Sequence, residues 1–491
     1  MISMLKQTSR VAALALGAAL LATFANADGK LAIKAGKVLP GPGMPEIEKG
    51  VIVIEGGRIT AIGPADTKIP WDAVVIDAGD QIAFPGFVEA HSSRGMDRPN
   101  ENLDVAPFLS VRDSIDPVNF YFEDSLRSGI TTINVQQGNN CVVAGQGAVI
   151  KPFGLTLDEM MVKTNAGLKL SATPKGGFSA ATQSQALRRA FGDLRRYLEQ
   201  LVREKKDGSD RAHREALYQG RDLEGDKAKG RAMEGSAWKV AGLEAIPRGE
   251  IDEKQEPLLA LVEGKLPAFI YCGRPADVLR ALEIARENGF LARTTLVLGP
   301  TCWKAADVIA EAGVPVILDS ELVSVELDPI TGEEKETFVP GVFKKKNVRF
   351  ALSSANATSE SLWYQAALSV GYGISRTDAI AAVTTVPAEI LGLGKRVGSL
   401  EVGKDGNVLL FSGDPLSVTS WVEHVVIEGK EVYDRSKDIR VKHLIEGRTP
   451  PNTQAMGADA EAAPKHDDGD DHGAPEKKDE KKKDKGEGDH K

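Results

Sequence analysis

The chain has 491 residues, 42% of them apolar, and a net charge of −9. That length and apolar content can bury a large core spread over two or three domains' worth of chain. The acidic balance argues against a nucleic-acid partner, because phosphate binding needs a basic patch.

Residues 1–27 read as a cleavable leader rather than part of the fold. Lys6 and Arg10 precede the apolar run VAALALGAALLATF, and Ala25-Asn26-Ala27 is a small-residue cleavage site before Asp28. The run is too short for a comfortable membrane span, so an uncleaved anchor is the lesser reading. The expectation is an exported protein, periplasmic or secreted, with no transmembrane span after cleavage.

Next come short alternating strands broken at glycine pairs: LAIKAGKVL, GVIVIEGGRITAIG and AVVIDAGDQIAF. The style returns at residues 397–435 with VGSLEVGKDGNVLLFSG and HVVIEGKEVYD. One small β-sandwich domain built from both chain ends, residues 28–83 and 395–445, is the simplest arrangement.

Between them strands alternate with amphipathic helices, which predicts a parallel sheet with crossover helices. The strands fall at 83–91, 129–136, 167–173, 267–273, 293–299, 315–320 and 348–355, with an eighth hidden in 141–166. The pattern fits an α/β fold of the (β/α)8 barrel type over residues 84–394. Residues 180–255 open with SQALRRAFGDLRRYLEQLVREKK and read as a charged surface insertion that could cap the mouth.

These segments resemble the amidohydrolase superfamily, in the branch of imidazolonepropionase-like and prolidase-like proteins. The carriers are GVIVIEGGRITAIG, AFPGFVEAH, GRPADVLRALEIA and TTVPAEILGLGKRVGSLEVGKDGNVLLFSGDPL. The family's GKDAD segment reads Gly403-Lys404-Asp405-Gly406-Asn407 here. The resemblance implies a metal-hydrolase barrel that cleaves C–N bonds in non-peptide or dipeptide amides. It further implies a His-x-His pair ending the first strand, a Lys or Glu on the fourth, one His each on the fifth and sixth, and an Asp on the eighth.

Carried residue by residue onto this sequence, that set is mostly replaced. His91 matches the first ligand and Ser93 stands at the second. The fourth strand offers Lys169 and then Ala172. Tyr271 and Gly273 occupy the fifth-strand positions, Leu298 the sixth, and Ala355, beside Asn356, the eighth. Only His91 and His213 of the seven histidines lie between residues 84 and 395, and His213 falls in the polar insertion. A catalytic zinc usually needs three protein ligands. The expected cofactor is therefore none, with zinc or another divalent metal only if the site is rebuilt.

Three readings follow. The first is a pseudoenzyme that keeps the fold and binds a small molecule or peptide at the old mouth. The second is a metal-free hydrolase rebuilt from His91, Lys169, Tyr271 and Asp319, with Glu89 and Asp97 as further carboxylates. The third is an assembly subunit in a homo- or hetero-oligomer.

The remaining signals have plainer readings. Cys141, Cys272 and Cys302 show no metal-ligand spacing and read as buried thiols. QQGNNCVVAGQGAVI lacks a phosphate-loop ending and reads as turns. Trp363 and Tyr364 sit in helical spacing and read as core. From about Pro450 the chain turns polar and charged. A solvated tail outweighs a loose chelator made of His466, Asp467, Asp468, Asp470, Asp471 and His472.

Overall fold

The computed structural model describes residues 29–219, 240–243, 246–318, 321–354 and 361–447. The expected leader and charged tail lie outside these residues, as do Asp319, Ala355 and Asn356. One compact unit reaches to Asp438. In the other, the helix Ile439–Glu446 is described.

The two ends of the first unit meet in β-structure. One sheet runs Arg58–Gly63, Val51–Glu55, Leu31–Lys34, Val74–Asp77. The other runs Lys430–Asp434, Val422–Ile427, Val408–Phe411, Ile82–Pro85, Lys37–Val38, Ile47–Glu48. Val408–Phe411 pairs antiparallel with Ile82–Pro85, which joins segments more than 300 residues apart. Gly56 and Gly57 both have positive φ, 57° and 79°. Such a pair turns the chain back with the twist of the flanking strands, as the sequence pattern requires. Ile33, Ile52, Ile54, Val408, Leu410 and Val426 are buried together in one cluster drawn from both sheets.

The middle of the chain follows the predicted alternation. In chain order it holds β1 (Phe87–Ser92), α1 (Phe120–Arg127), β2 (Ile130–Val135), β3 (Val143–Gln146), β4 (Ala148–Ile150) and β5 (Leu168–Ser171). Then come α2 (Ala180–Gln219), β6 (Ala268–Cys272), α3 (Pro275–Glu287), β7 (Thr294–Leu298), α4 (Ala306–Ala312) and β8 (Val316–Leu318). It closes with α5 (Val339–Lys345), β9 (Phe350–Leu352), α6 (Leu362–Gly371), α7 (Arg376–Ala381) and α8 (Thr385–Ile390).

Every predicted strand has its counterpart, and β5 to β9 are mutually parallel neighbours. The ladders nevertheless form two sheets, not one closed ring. The hidden segment is a bent strand of opposite direction. Its first half, β3, pairs antiparallel with β5, and its second half, β4, pairs antiparallel with β2.

At the other seam no ladder joins β9 to β1. The turn after α7 stands there instead: Leu352 N donates to Ala382 O and Val88 N to Val383 O. The fold is mixed α/β, and these two seams are where it departs from the expected eight-stranded ring.

The segment expected to be a surface insertion divides. The first half of α2 is a core helix: Leu187, Ala190, Phe191, Leu194 and Leu198 are all buried. Their spacing draws one apolar stripe along the helix. Phe191 stacks on Phe290 with ring centroids 5.5 Å apart. This stripe had been masked by the arginines on the opposite face. Residues 220–239 lie outside the described residues, as does the side chain of His213.

Among the described residues no helix is long and apolar enough to cross a membrane. The three cysteines are free and buried. Trp363 packs against the core, whereas Tyr364 is exposed.

Candidate functional site

Strand alternation decides which side chains meet. Side chains at i and i+2 share a face. In β5 to β9 the even-numbered residues Leu168, Leu170, Ile270, Leu298, Leu318 and Leu352 belong to the cluster packed with the helices. The odd-numbered Phe269, Val297, Ile317 and Ala351 form a separate inner cluster. The register aligns Ser171, Tyr271, Val297, Ile317 and Ala351 in one row across the strands. Two residues further on, the next row holds Thr173, Gly273, Gly299 and Ser353.

This parity corrects two sequence assignments. Leu298 and Ala172 were placed at ligand positions, but both lie in the helix-packed layer. On the sixth strand of the family pattern the inner residue is Gly299. A Cβ built on Gly299 would lie 3.0 Å from the Cα and O of Gly273. A side chain at Gly299 would therefore press on the backbone of Gly273, whereas one at Gly273 would crowd the Thr173 side chain at 3.2 Å and the Tyr271 hydroxyl at 3.3 Å.

The row is pinned at its exposed end. Gly273 N donates to Thr173 Oγ1 (2.6 Å), and Thr173 Oγ1 donates to Asp277 Oδ2 (2.8 Å). Asp277 is fully buried at the first turn of α3, where its carboxylate also accepts from Arg274 N. An acidic residue there satisfies otherwise unpaired helix N–H groups.

The polar centre forms where β1, β5 and the β2–β3 loop converge. Lys169 is fully buried and His91 is 2% exposed. Lys169 Nζ lies 2.7 Å from His91 Nε2 and donates to Asn139 Oδ1 at 2.8 Å. A lysine amine donating to Nε2 leaves the ring proton on Nδ1. The Lys169 nitrogen also stands 5.8 Å from the centre of the Tyr271 ring, a cation–π distance.

Beneath His91, Glu89 is fully buried. Its carboxylate accepts from Ser354 N (2.9 Å), Ser354 Oγ (2.5 Å) and His91 N (3.4 Å). Ser353 Oγ donates to the His91 carbonyl (2.9 Å), and Asn134 Nδ2 donates to that of Ala90 (2.9 Å). The Ser353 and Ser354 bonds span the β9–β1 seam, that of Asn134 ties β1 to β2, and together they fix the backbone that carries the imidazole.

The electrostatics follow from burial. Burial, with Glu89 adding to it, pushes the Tyr121 phenol well above its ordinary range. Burial also pushes the Cys141 thiol up to about 11, against the opposing pull of Lys169 and Lys175. The thiol is thus held neutral beside the lysine.

The structure joins His91, Lys169, Tyr271 and Glu89. It leaves Asp97 exposed, with its carboxylate engaged by Ser114 Oγ and Arg98 N. Ser93, just past the end of β1, is part-buried. Asn139 was missed by the sequence reading. It belongs to the segment read as plain turns, and only the loop's return over β5 brings it to Lys169.

A metal centre is not what these residues fit. Among the described residues the strand ends supply one imidazole, and its Nε2 already meets a lysine amine. The three-ligand grouping present among them, His424, Glu431 and Asp434, is on the C-terminal hairpin. Lys437 stands 2.8 Å from Asp434 there.

Comparisons with known proteins agree with the fold. A model of the amidohydrolase family matches residues 360–433. The amidohydrolase tasK of Hapsidospora irregularis is 23% identical over 436 residues, which is 78% of this chain and 40% of that protein. The imidazolonepropionase of Bacillus cereus is 28% identical over 120 residues, covering 19% of this chain and 28% of that protein. This chain thus spans less than half the length of either curated relative.

An amidohydrolase structure from Thermotoga maritima MSB8 superposes with a TM-score of 0.63 at 26% identity, covering 82% of this chain and 100% of that one. The C-terminal family segment, the imidazolonepropionase match and this superposition together support the amidohydrolase superfamily for this chain.

Proposed function

We propose that this chain is an exported member of the superfamily that engages a small C–N-bonded molecule, such as an amide, at the strand ends without a resident catalytic metal. The observation that carries the reading is the 2.7 Å contact between Lys169 Nζ and His91 Nε2. A metal-bound imidazole presents its lone pair to the ion at about 2.0–2.1 Å. Here that lone pair faces an amine. The close approach of Gly299 to the Gly273 backbone supports the same reading, because a side chain at Gly299 would meet main chain at 3.0 Å.

In this reading the parallel strands are a distorted barrel opened at the α7 turn. The two flanking sheets are its β-sandwich companion, and the leader sequence directs export. A second reading, metal-free hydrolysis, has one specific observation behind it: an imidazole in contact with an amine is a candidate general base.

Metal analysis by mass spectrometry on protein cut before residue 450 tests the first reading. The expected content is far below one divalent ion per chain. About one tightly held zinc per chain overturns it. Amide or dipeptide turnover that survives chelator and is lost in His91→Ala favours the second reading over simple binding.

A further inference from the structure

The polar centre carries a chemistry that the superfamily reading does not contain. Nucleophilic catalysis has a recognisable arrangement: a nucleophile within hydrogen-bond reach of a base, with the base held by further groups. Lys169 Nζ and His91 Nε2 stand at 2.7 Å. The His91 backbone is held by Ser353 Oγ at its carbonyl and by Glu89 at its N–H. Asn139 Oδ1 fixes the amine from a second direction at 2.8 Å.

We propose that Lys169 is an amine nucleophile that captures a small aldehyde or ketone as an imine, with His91 as its proton acceptor. This rests on the reading that a lysine–imidazole pair, not a metal, occupies the strand ends. In the step, the Nζ lone pair forms a bond to the carbonyl carbon and the C=O π pair moves to oxygen. His91 Nε2 takes a proton from the nitrogen and returns it to the oxygen, giving a carbinolamine, and then carries the second N–H proton to the hydroxyl. Water leaves and the C=N bond closes. Amine plus carbonyl gives imine plus water, and no oxidant or reductant is consumed.

Burial shapes the selectivity. Lys169 has no exposed surface, which disfavours bulky carbonyl compounds. Removal from bulk water also protects an imine from hydrolysis. The ring of Tyr271 would flank the bound carbon, on the face where the ring now meets the amine.

The test is reductive trapping of the intact protein with acetone and borohydride, resolved by peptide mass spectrometry. Exposed Lys335 and Lys430 serve as internal references in the same sample. The expected result is isopropylation of Lys169 at least about tenfold faster than of either reference, with the rate falling roughly 100-fold in His91→Ala, the scale of lost acid–base assistance.

Labelling of Lys169 no faster than the references in the wild-type protein overturns the proposal, whether or not the variant folds. So does a rate unchanged in folded His91→Ala. The metal analysis separates the two ideas. One zinc per chain removes the metal-free reading itself, whereas metal-free protein that fails to trap removes only the imine.

Discussion

Lys169 and His91, separated by 78 positions in sequence, meet nitrogen to nitrogen at 2.7 Å in the buried end of the strand layer. Neither residue makes this contact from local structure. β5 presents the lysine, the backbone bonds at the β9–β1 seam hold the imidazole, and Asn139 accepts from the lysine. The pair replaces a set of ion ligands with a buried lysine–imidazole–amide hydrogen-bond network. Buried networks of this kind are costly to break in part.

Truncating the lysine tests that network. Lys169→Met removes a donor from both His91 Nε2 and Asn139 Oδ1. A buried acceptor that loses its partner costs about 1–3 kcal/mol. Lys169→Met is therefore expected to lower unfolding free energy by that order in urea titration. The double-mutant cycle with Asn139→Ala is expected to show coupling of about 0.5–3 kcal/mol. Strict additivity of the two variants would mean that the Lys169–Asn139 bond has no energetic weight.

The glycine contact makes a second prediction. A Cβ at Gly299 meets the backbone of Gly273 at 3.0 Å, and backbone cannot rotate away. Gly299→Ala is expected to cost about 1–3 kcal/mol by overpacking. Gly299→His is expected to destabilise further and to bind no zinc in equilibrium dialysis. A well-folded Gly299→His that takes up zinc would show that the pinch between strands is soft.

The third prediction concerns α2. Phe191 is 3% exposed and stacked on Phe290. Phe191→Ala is expected to lose about 3–5 kcal/mol, the range for a truncated core aromatic. A helix that merely capped the surface would lose less than 1 kcal/mol, so chemical denaturation distinguishes the two.

Acid sensitivity supplies the fourth. Partial burial raises the Asp434 carboxyl, but Lys437 and the Ser436 hydroxyl and N–H outweigh it and hold the group at about 2. The carboxylate accepts from Ser436 N at 2.9 Å and lies 2.8 Å from Lys437 Nζ. A carboxyl depressed in the folded state binds protons less readily than in the unfolded chain. Its stabilisation is therefore present above about 4 and is lost as pH falls toward 2. The gap in Tm between wild type and Asp434→Asn should shrink across that window. A gap that stays constant would remove Asp434 as its source.

Much of this molecule is legible along the chain. Short, largely apolar runs mark the inner strands, because strands covered by helices on one face and by the inner cluster on the other are buried on both. The glycine pairs mark their turns for an equally local reason, since few residues accept positive φ. The replacements at Ser93 and Tyr271 are visible by position alone. The core stripe of α2 was also present in the sequence, at Leu187, Phe191, Leu194 and Leu198. Its arginine-rich face hid it.

What only the tertiary structure decided is which residue of each alternating pair turns inward and what it meets there. Leu298 and Gly299 differ by one position, and a shift of one residue exchanges the two faces of a strand. That choice belongs to the ladder with β6 and β8, not to the residues themselves. The antiparallel bend of β3 and β4, the α7 turn between β9 and β1, and the return of Asn139 over Lys169 are likewise set by packing between distant segments. The sequence by itself determined the strands, the family scaffold and the scarcity of imidazoles. Tertiary contacts determined that the remaining imidazole faces a lysine, because hydrogen-bond geometry over 78 residues exists only once the sheet has formed.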